Sequence, residues 1–218
     1  MFDPVHNGHL EAARVAVRTL ALDELRLVPC AIPNHRTPAL ATAQDRLAML
    51  QLAIAQDDAL LVDDREITRD GVSYTVDTLA SLAEEFPGAV LVLVLGIDAF
   101  AGLPGWYRWQ AIFALANVVV LARPGVAPQF NEDLTLDLQC RQAHSVDRFF
   151  SQPQGRILCL QEPQVDLSST QVRTSVQQGQ DARAVLPPAV ADYIRSRGLY
   201  ASAGTVSDTS ACPTACAN

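Results

Sequence analysis

The fold class follows from one apolar run, Ala89-Val90-Leu91-Val92-Leu93-Val94-Leu95. It lacks the alternation that marks a strand with one face in water, so it predicts a strand buried on both faces, in a parallel sheet. The run leads directly into Gly96-Ile97-Asp98, which places a carboxylate at the carboxyl edge of the predicted strand. A buried carboxylate without a partner is costly, and we therefore expect Asp98 to have a functional role.

The rest of the chain to residue 200 alternates helical and strand patterns, which predicts a single doubly wound parallel sheet with ligands at the carboxyl ends of its strands. We expect one α/β domain over residues 1–200 and a disordered tail over 201–218, which is rich in Ser, Thr, Ala and Gly. Residues 126–156 are polar and poorly periodic, which predicts only loop and short helix. Further strands are predicted at 24–29, 60–62, 118–122 and 157–160. Helices are predicted at 7–20, at 44–56, from an N-cap at Ser73 or Thr75 to Phe86, from 168 to about 178, and from 187 onward.

Charge and composition limit the classes of partner. The 218 residues carry a formal net charge of −8 and a pI of about 4.9, which argues against nucleic-acid or anionic-membrane binding. The sequence contains no lysine, so P-loop and Schiff-base chemistry are excluded. Any bound phosphate must therefore be held by Arg, His, hydroxyl or backbone groups.

The cysteines and the N-terminus predict a cytoplasmic protein. The five cysteines are scattered and form no Cys-x-x-Cys pair or zinc spacing, which suits a reducing compartment. No charged leader with an apolar core opens the chain, and no apolar run is long enough to cross a membrane.

A candidate anion site opens the chain at Phe2-Asp3-Pro4-Val5-His6-Asn7-Gly8-His9-Leu10. Helical apolar spacing begins at once behind it, so His6 and His9 lie in or next to the first helical turn, with Asn7 or Asp3 as the candidate cap. Helix N-termini offer free N–H groups to phosphate, and Gly8 permits close approach to the backbone. The alternative is a pair of surface histidines at a helix start.

Other polar groups follow predicted strands or open predicted helices. His35 and Arg36 lie in a proline-restricted loop, which is either a ligand loop or a plain connection. Of Trp106 and Trp109, one is expected in the core. Leu167-Ser168-Ser169-Thr170-Gln171-Val172-Arg173 opens a helix with hydroxyls and an arginine, which together make a second anion site.

These stretches together resemble the bacterial nicotinate-nucleotide adenylyltransferases, over nearly the whole chain to Tyr200. The stretch from Phe2 to His9 and the Ser168–Arg173 stretch resemble signatures of the wider nucleotidyltransferase superfamily. Stretches similar to parts particular to this family are Ser73-Tyr74-Thr75-Val76-Asp77-Thr78-Leu79, Leu103-Pro104-Gly105-Trp106-Tyr107-Arg108-Trp109, Ala122-Arg123-Pro124-Gly125 and Gly198-Leu199-Tyr200.

The resemblance implies a Rossmann-like fold and transfer of the adenylyl group of ATP to nicotinate mononucleotide, giving deamido-NAD and pyrophosphate. Mg²⁺ would arrive with ATP, with no metal site on the protein and no covalent intermediate. It implies catalytic roles for His6, His9 and Arg173. The ATP site would comprise Phe2, His6, Gly8, His9, Gly96, Asp98, Ser168, Ser169, Thr170 and Arg173, and the mononucleotide site His35, Arg36, Tyr74, Thr75, Trp106 and Arg123.

Two other functions are compatible with the same sequence. One is another small-molecule nucleotidyltransferase such as pantetheine-phosphate adenylyltransferase, which shares the superfamily motifs but lacks the Trp106 and Arg123 stretches. The other is a nucleotide-binding remnant that binds ATP without turnover.

The sequence departs from the family in two places. The loop has Pro33-Asn34 where Pro-Pro is usual. The family's signature also follows a short apolar strand and Gly-Gly, so we expect a further N-terminal segment that supplies a central strand. Without it, residues 1–218 are expected to be poorly folded and nearly inactive.

Overall fold

The computed structural model describes residues 2–32, 38–69, 71–122, 130–161 and 167–201. Helices and strands alternate along this part of the chain, as the apolar patterns predict, and none of its helices has the length and apolar character needed to cross a membrane. The elements are α1 (Asn7–Leu20), β1 (Leu25–Leu27), α2 (Ala43–Ile54), β2 (Leu60–Val62), α3 (Arg65–Thr68), α4 (Thr75–Glu85), β3 (Val92–Gly96), α5 (Ile97–Ala101), α6 (Trp109–Ile112), β4 (Asn117–Leu121), α7 (Glu132–Arg141), β5 (Gln142–Ala143), α8 (Val146–Phe149), β6 (Ile157–Leu160), α9 (Ser169–Gln177) and α10 (Pro188–Arg197).

All strand pairs among the described residues are parallel, which confirms the α/β class, but these strands form two sheets rather than one. β1 and β2 form the first sheet, with Leu25 opposite Leu60. The second sheet has the order β3-β4-β6-β5. Within the described ranges, β1 and β3 each have one unpaired edge, because no strand lies between them.

The four-stranded sheet is covered on both faces, as a doubly wound fold requires. Successive side chains of β4 point to opposite faces. Val118 and Val120 belong to a core cluster with Phe100 and Ile112, whereas Val119 and Leu121 belong to one with Phe149. A third cluster packs α1, α2, α9 and α10 around β1.

One large cavity, of about 1460 Å³, lies between the two sheets, and both β1 and β3 line it. This placement explains why β3 differs from the prediction of a strand buried on both faces. Val92, Leu93 and Val94 are only half-buried, whereas Leu95 is buried. β4 lies between two neighbouring strands, and all five of its residues are buried.

Two predicted helix caps are wrong. His6 is the N-cap of α1, not Asn7 or Asp3. Tyr74 is the N-cap of α4, not Ser73 or Thr75. In each helix the polar side chain is engaged elsewhere: Asp3 accepts hydrogen bonds from residues 40 and 41, and Ser73 Oγ accepts one from Ala31 N.

The stretch from 126 to 156 has more structure than its weak pattern predicts. Its described part contains α7, the two-residue strand β5 at the edge of the sheet, and α8. A strand of two residues is too short to show apolar/polar alternation, so β5 could not be predicted from the sequence pattern. The predicted tail falls almost wholly outside the described residues, which end at Ala201.

Candidate active site

His6 and His9 face one another at the N-terminus of α1. The backbone N–H of His6 donates to Nδ1 of His9 over 3.3 Å, and the two rings stack with centroids 3.7 Å apart. The Phe2 ring meets the His9 ring edge-on at 5.0 Å. His6 itself is 3% exposed. Both histidines thus lie at the start of α1, as predicted, and His9 is the more accessible of the two.

The surroundings of His9 keep its ring neutral. Burial lowers the pKa of His9 well below its ordinary value, and the neighbouring His6 lowers it further. Because Nδ1 accepts the His6 N–H, the proton of the neutral ring lies on Nε2. His9 can therefore donate one hydrogen bond from Nε2 without changing its protonation state.

A second helix N-terminus, that of α9, contacts the loop before α1. Ser168 caps α9 by accepting from Gln171 N at 3.2 Å, while its own N–H donates to the Gln171 side chain at 2.7 Å. Ser169 Oγ donates to the carbonyl of Pro4 at 3.0 Å, which ties α9 to the loop before α1.

Arg173 lies one turn inside α9 and points back toward the same loop. Its Nη1 donates to the Asp3 carbonyl at 2.7 Å, and its Nη2 donates to Thr170 Oγ1 at 3.1 Å. Two helix N-termini, an arginine and two imidazoles therefore lie side by side, which is an arrangement suited to a polyphosphate.

The large cavity brings most of the predicted residues together. It reaches the carboxyl ends of β1, β3 and β4 at Val28, Gly96 and Ala122. Its lining includes Phe2, His6, Gly8, His9, Thr75, Gly96, Asp98, Trp106, Ser168, Ser169, Thr170 and Arg173.

The two tryptophans divide as expected. Trp109 is 8% exposed and packs edge-to-face near Phe113, so it belongs to the core. Trp106 is half-buried and lines the cavity. The predicted burial of Asp98 is wrong. Asp98 lies in the first turn of α5 and is exposed. Its position at the cavity, not a burial penalty, makes it a candidate.

Not every predicted residue reaches the cavity. Tyr74 is not part of its lining, and its ring lies 4.5 Å from that of Tyr107. Thr75, next to it in sequence, does line the cavity. His35, Arg36 and Arg123 lie outside the described residues.

Asp3 and Tyr200 also belong to this region, although the sequence analysis assigns neither of them a role in the site. Asp3 is 2% exposed, and its carboxylate accepts from Leu40 N, Ala41 N and the Tyr200 hydroxyl. The available signal was the Asp3-Pro4 pair before His6, but the partners of Asp3 are distant in sequence and could not be predicted from that pair.

Comparisons with known proteins place the chain in a family. Residues 1–175 match the family model described as Cytidylyltransferase-like. A probable nicotinate-nucleotide adenylyltransferase from Methylococcus capsulatus is 43% identical over 201 residues, covering 92% of this chain and 96% of the relative. The chain belongs to the nicotinate-nucleotide adenylyltransferases of the cytidylyltransferase-like family. A Pseudomonas syringae protein of the same description is 44% identical over 94% of this chain and 92% of its own length.

Solved structures support the fold of this adenylyltransferase. The nicotinic acid mononucleotide adenylyltransferase of Plasmodium falciparum, complexed with APC, superposes with a TM-score of 0.68 at 16% identity, covering 91% of this chain and 92% of the other. Its complex with NaAD gives a TM-score of 0.67 at 17% identity, covering 91% and 93%.

Proposed function

We propose that this chain transfers the adenylyl group of ATP to nicotinate mononucleotide, giving nicotinate adenine dinucleotide and pyrophosphate. The observation that carries the proposal is the junction of the α1 and α9 N-termini, with His9 and Arg173 in one cavity that also contains Trp106. The names of the relatives at 43% and 44% identity support the same substrates.

The chemistry needs no nucleophile from the protein. A phosphate oxygen of the mononucleotide attacks the α-phosphorus of ATP, the new P–O bond forms, and the bond to the bridging oxygen breaks with its electrons leaving on pyrophosphate. No proton has to move in this exchange. The enzyme therefore acts by aligning the two phosphates and stabilising the charge that develops on their oxygens.

His9 supplies one such donor. Its neutral ring presents the Nε2 proton while Nδ1 is held by the His6 N–H, so the ring is oriented before substrate binds. We assign this donor to an α-phosphate oxygen. A donor fixed in advance stabilises developing charge without reorganisation during the reaction.

Arg173, Thr170 and Ser169 would receive the departing pyrophosphate at the N-terminus of α9. Mg²⁺ would enter with ATP. The described residues contain no group of three His, Cys, Asp or Glu side chains suited to a metal ion. Mg²⁺ prefers an octahedron of oxygens and often takes them from substrate phosphates and water, which fits a site that offers Asp98 as an exposed carboxylate.

The acceptor end of the cavity would be formed by Trp106 and Thr75. An indole ring can stack on the electron-poor pyridine ring of the mononucleotide. Asp98 would hold the ATP ribose or its metal. Tyr74, Arg123, His35 and Arg36 remain proposed substrate contacts by resemblance to the family.

A cytoplasmic location is proposed together with this activity. ATP is a substrate, and Cys30, Cys140 and Cys159 are free thiols. Burial raises the pKa of both Cys30 and Cys159, so these two thiols stay protonated and weakly reactive.

The test compares acceptors. Pyrophosphate release is followed with Mg²⁺-ATP and either nicotinate mononucleotide or phosphopantetheine, and the dinucleotide product is identified by mass. We expect turnover with the mononucleotide alone. Turnover with phosphopantetheine alone would overturn the proposal, and ATP binding without turnover on either acceptor would identify a nucleotide-binding protein instead.

A further inference from the structure

Asp3 joins three segments that are far apart in sequence. Its carboxylate accepts the backbone N–H groups of Leu40 at 2.9 Å and Ala41 at 3.1 Å, in the segment before α2. Its carbonyl accepts Arg173 Nη1 from α9 at 2.7 Å. The third segment is the end of the described chain, where the Tyr200 hydroxyl donates to Asp3 Oδ1 at 2.8 Å.

Tyr200 is placed for this contact by the turn that ends α10. Gly198 caps the helix with φ +61°, in the left-handed region that glycine adopts without strain, and the chain then reverses toward α1. Tyr200 is 8% exposed and packs in the cluster around β1. Burial and the bond to Asp3 raise its pKa, so it remains a neutral donor at ordinary pH.

Asp3 connects the Tyr200 hydroxyl to Arg173, because its carboxylate accepts from the first and its carbonyl from the second. The Arg173 guanidinium is 2.7 Å from the Asp3 carbonyl but 3.9 Å from Asp3 Oδ2, so it touches the backbone rather than forming a close ion pair. Each donor to the carboxylate spreads its charge. Removing one would strengthen the attraction for the arginine, because a buried charge with fewer donors seeks another partner.

We propose that Tyr200 is a positioning residue for the adenylyl-transfer site: through Asp3 it keeps the Arg173 guanidinium available to the ATP phosphates. The role rests on the proposed function, since Arg173 is assigned there to pyrophosphate. Tyr200 itself does not line the cavity, so its influence passes through Asp3.

The first experiment compares two tyrosines that make similar bonds. Tyr200→Phe removes the hydroxyl and keeps the packed ring. Tyr193→Phe is the matched control, because Tyr193 lies in α10 and donates to Asp45 Oδ1 at 2.9 Å, away from the cavity. We expect Tyr200→Phe to lower kcat/KM for ATP about tenfold, on the scale of a hydrogen bond to a charged group, and to leave KM for the mononucleotide within about twofold. Tyr193→Phe should leave both constants unchanged.

A double-mutant cycle with Arg173→Ala tests whether the effect of Tyr200 depends on Arg173. If Tyr200 acts through Arg173, then Tyr200→Phe should change kcat/KM for ATP by less than about twofold in the Arg173→Ala background, since interacting residues are non-additive. An equal loss in both backgrounds would overturn the proposal. So would an equal rise in both Michaelis constants, or a normal kcat/KM for ATP in Tyr200→Phe.

Calorimetric titration with Mg²⁺-ATP separates this proposal from the proposed function. Weaker ATP binding by Tyr200→Phe than by Tyr193→Phe would support the positioning role even if the parent does not turn over nicotinate mononucleotide. Equal ATP affinity in the two variants would overturn it, whatever the acceptor.

Discussion

A strand placed between β1 and β3 should stabilise this fold. Within the described residues, the unpaired edges of these two strands line the same cavity, and so does Phe2, which is the first described residue. We would fuse a five-residue apolar strand and two glycines directly before Phe2. A strand in this position would be parallel to both neighbours and would lead into the α1 loop.

The expected gain can be worked from the length of β3, which has five residues. Three inward apolar side chains contribute ~4.5–9 kcal/mol by burial. Ordering the seven added residues opposes this by ~7–14 kcal/mol, which exceeds the burial contribution by a few kcal/mol. The net gain then comes from about eight new sheet hydrogen bonds, five to β3 and three to β1, at ~0.5–1.5 kcal/mol each. A gain of about 3 kcal/mol would raise Tm by roughly 6–12 °C for a chain of this size.

Thermal melting and amide hydrogen exchange check this prediction. A Gly/Ser extension of the same length and the apolar strand with a central proline are the controls, because proline cannot donate to a ladder. We also expect slower exchange in β1 and β3. Equal Tm values for the apolar and Gly/Ser extensions, with unchanged exchange in those strands, would refute the reasoning.

Three further predictions concern the site. His9→Ala should reduce kcat by ~10²–10³ while ATP binding changes little, as single-turnover rates and ATP titration would show; a kcat within about threefold of the parent would contradict the donor role. Trp106→Ala should raise KM for the mononucleotide several-fold and leave KM for ATP alone, since stacking contributes ~0.5–1.5 kcal/mol, whereas Trp109→Ala should mainly lower Tm; equal effects on both constants would argue for core packing of Trp106. Because the pKa of His9 is lowered below its ordinary value of 6.5, the unfolded chain binds the extra proton first, so the free energy of unfolding should fall as pH drops below 6.5. His9→Asn should flatten that dependence in chemical denaturation, and an unchanged slope would contradict the assignment.

Much of the candidate site could be predicted from the sequence because its motifs are short and local. The histidine pair, the hydroxyl-rich start of α9 and the aromatic stretch each occupy less than two helical turns, and capping and phosphate binding depend on neighbours within one turn. Trp106 and Trp109 show the limit. Composition alone does not distinguish them: the resemblance to the family assigned Trp106 to the substrate, and the packing of α6 buries Trp109.

The parallel α/β class, the alternation of the main helices and strands, and the polar starts of α1 and α9 were determined by the sequence alone, since apolar periodicity and short motifs depend on residues a few positions apart. Tertiary structure decided the rest. The division into two sheets, the half-exposed face of β3 and the exposed position of Asp98 depend on what each strand edge meets. The bonds of Asp3 to Arg173 and Tyr200 join residues 170 and 197 positions apart, and no local pattern can specify contacts that only the packed chain brings together.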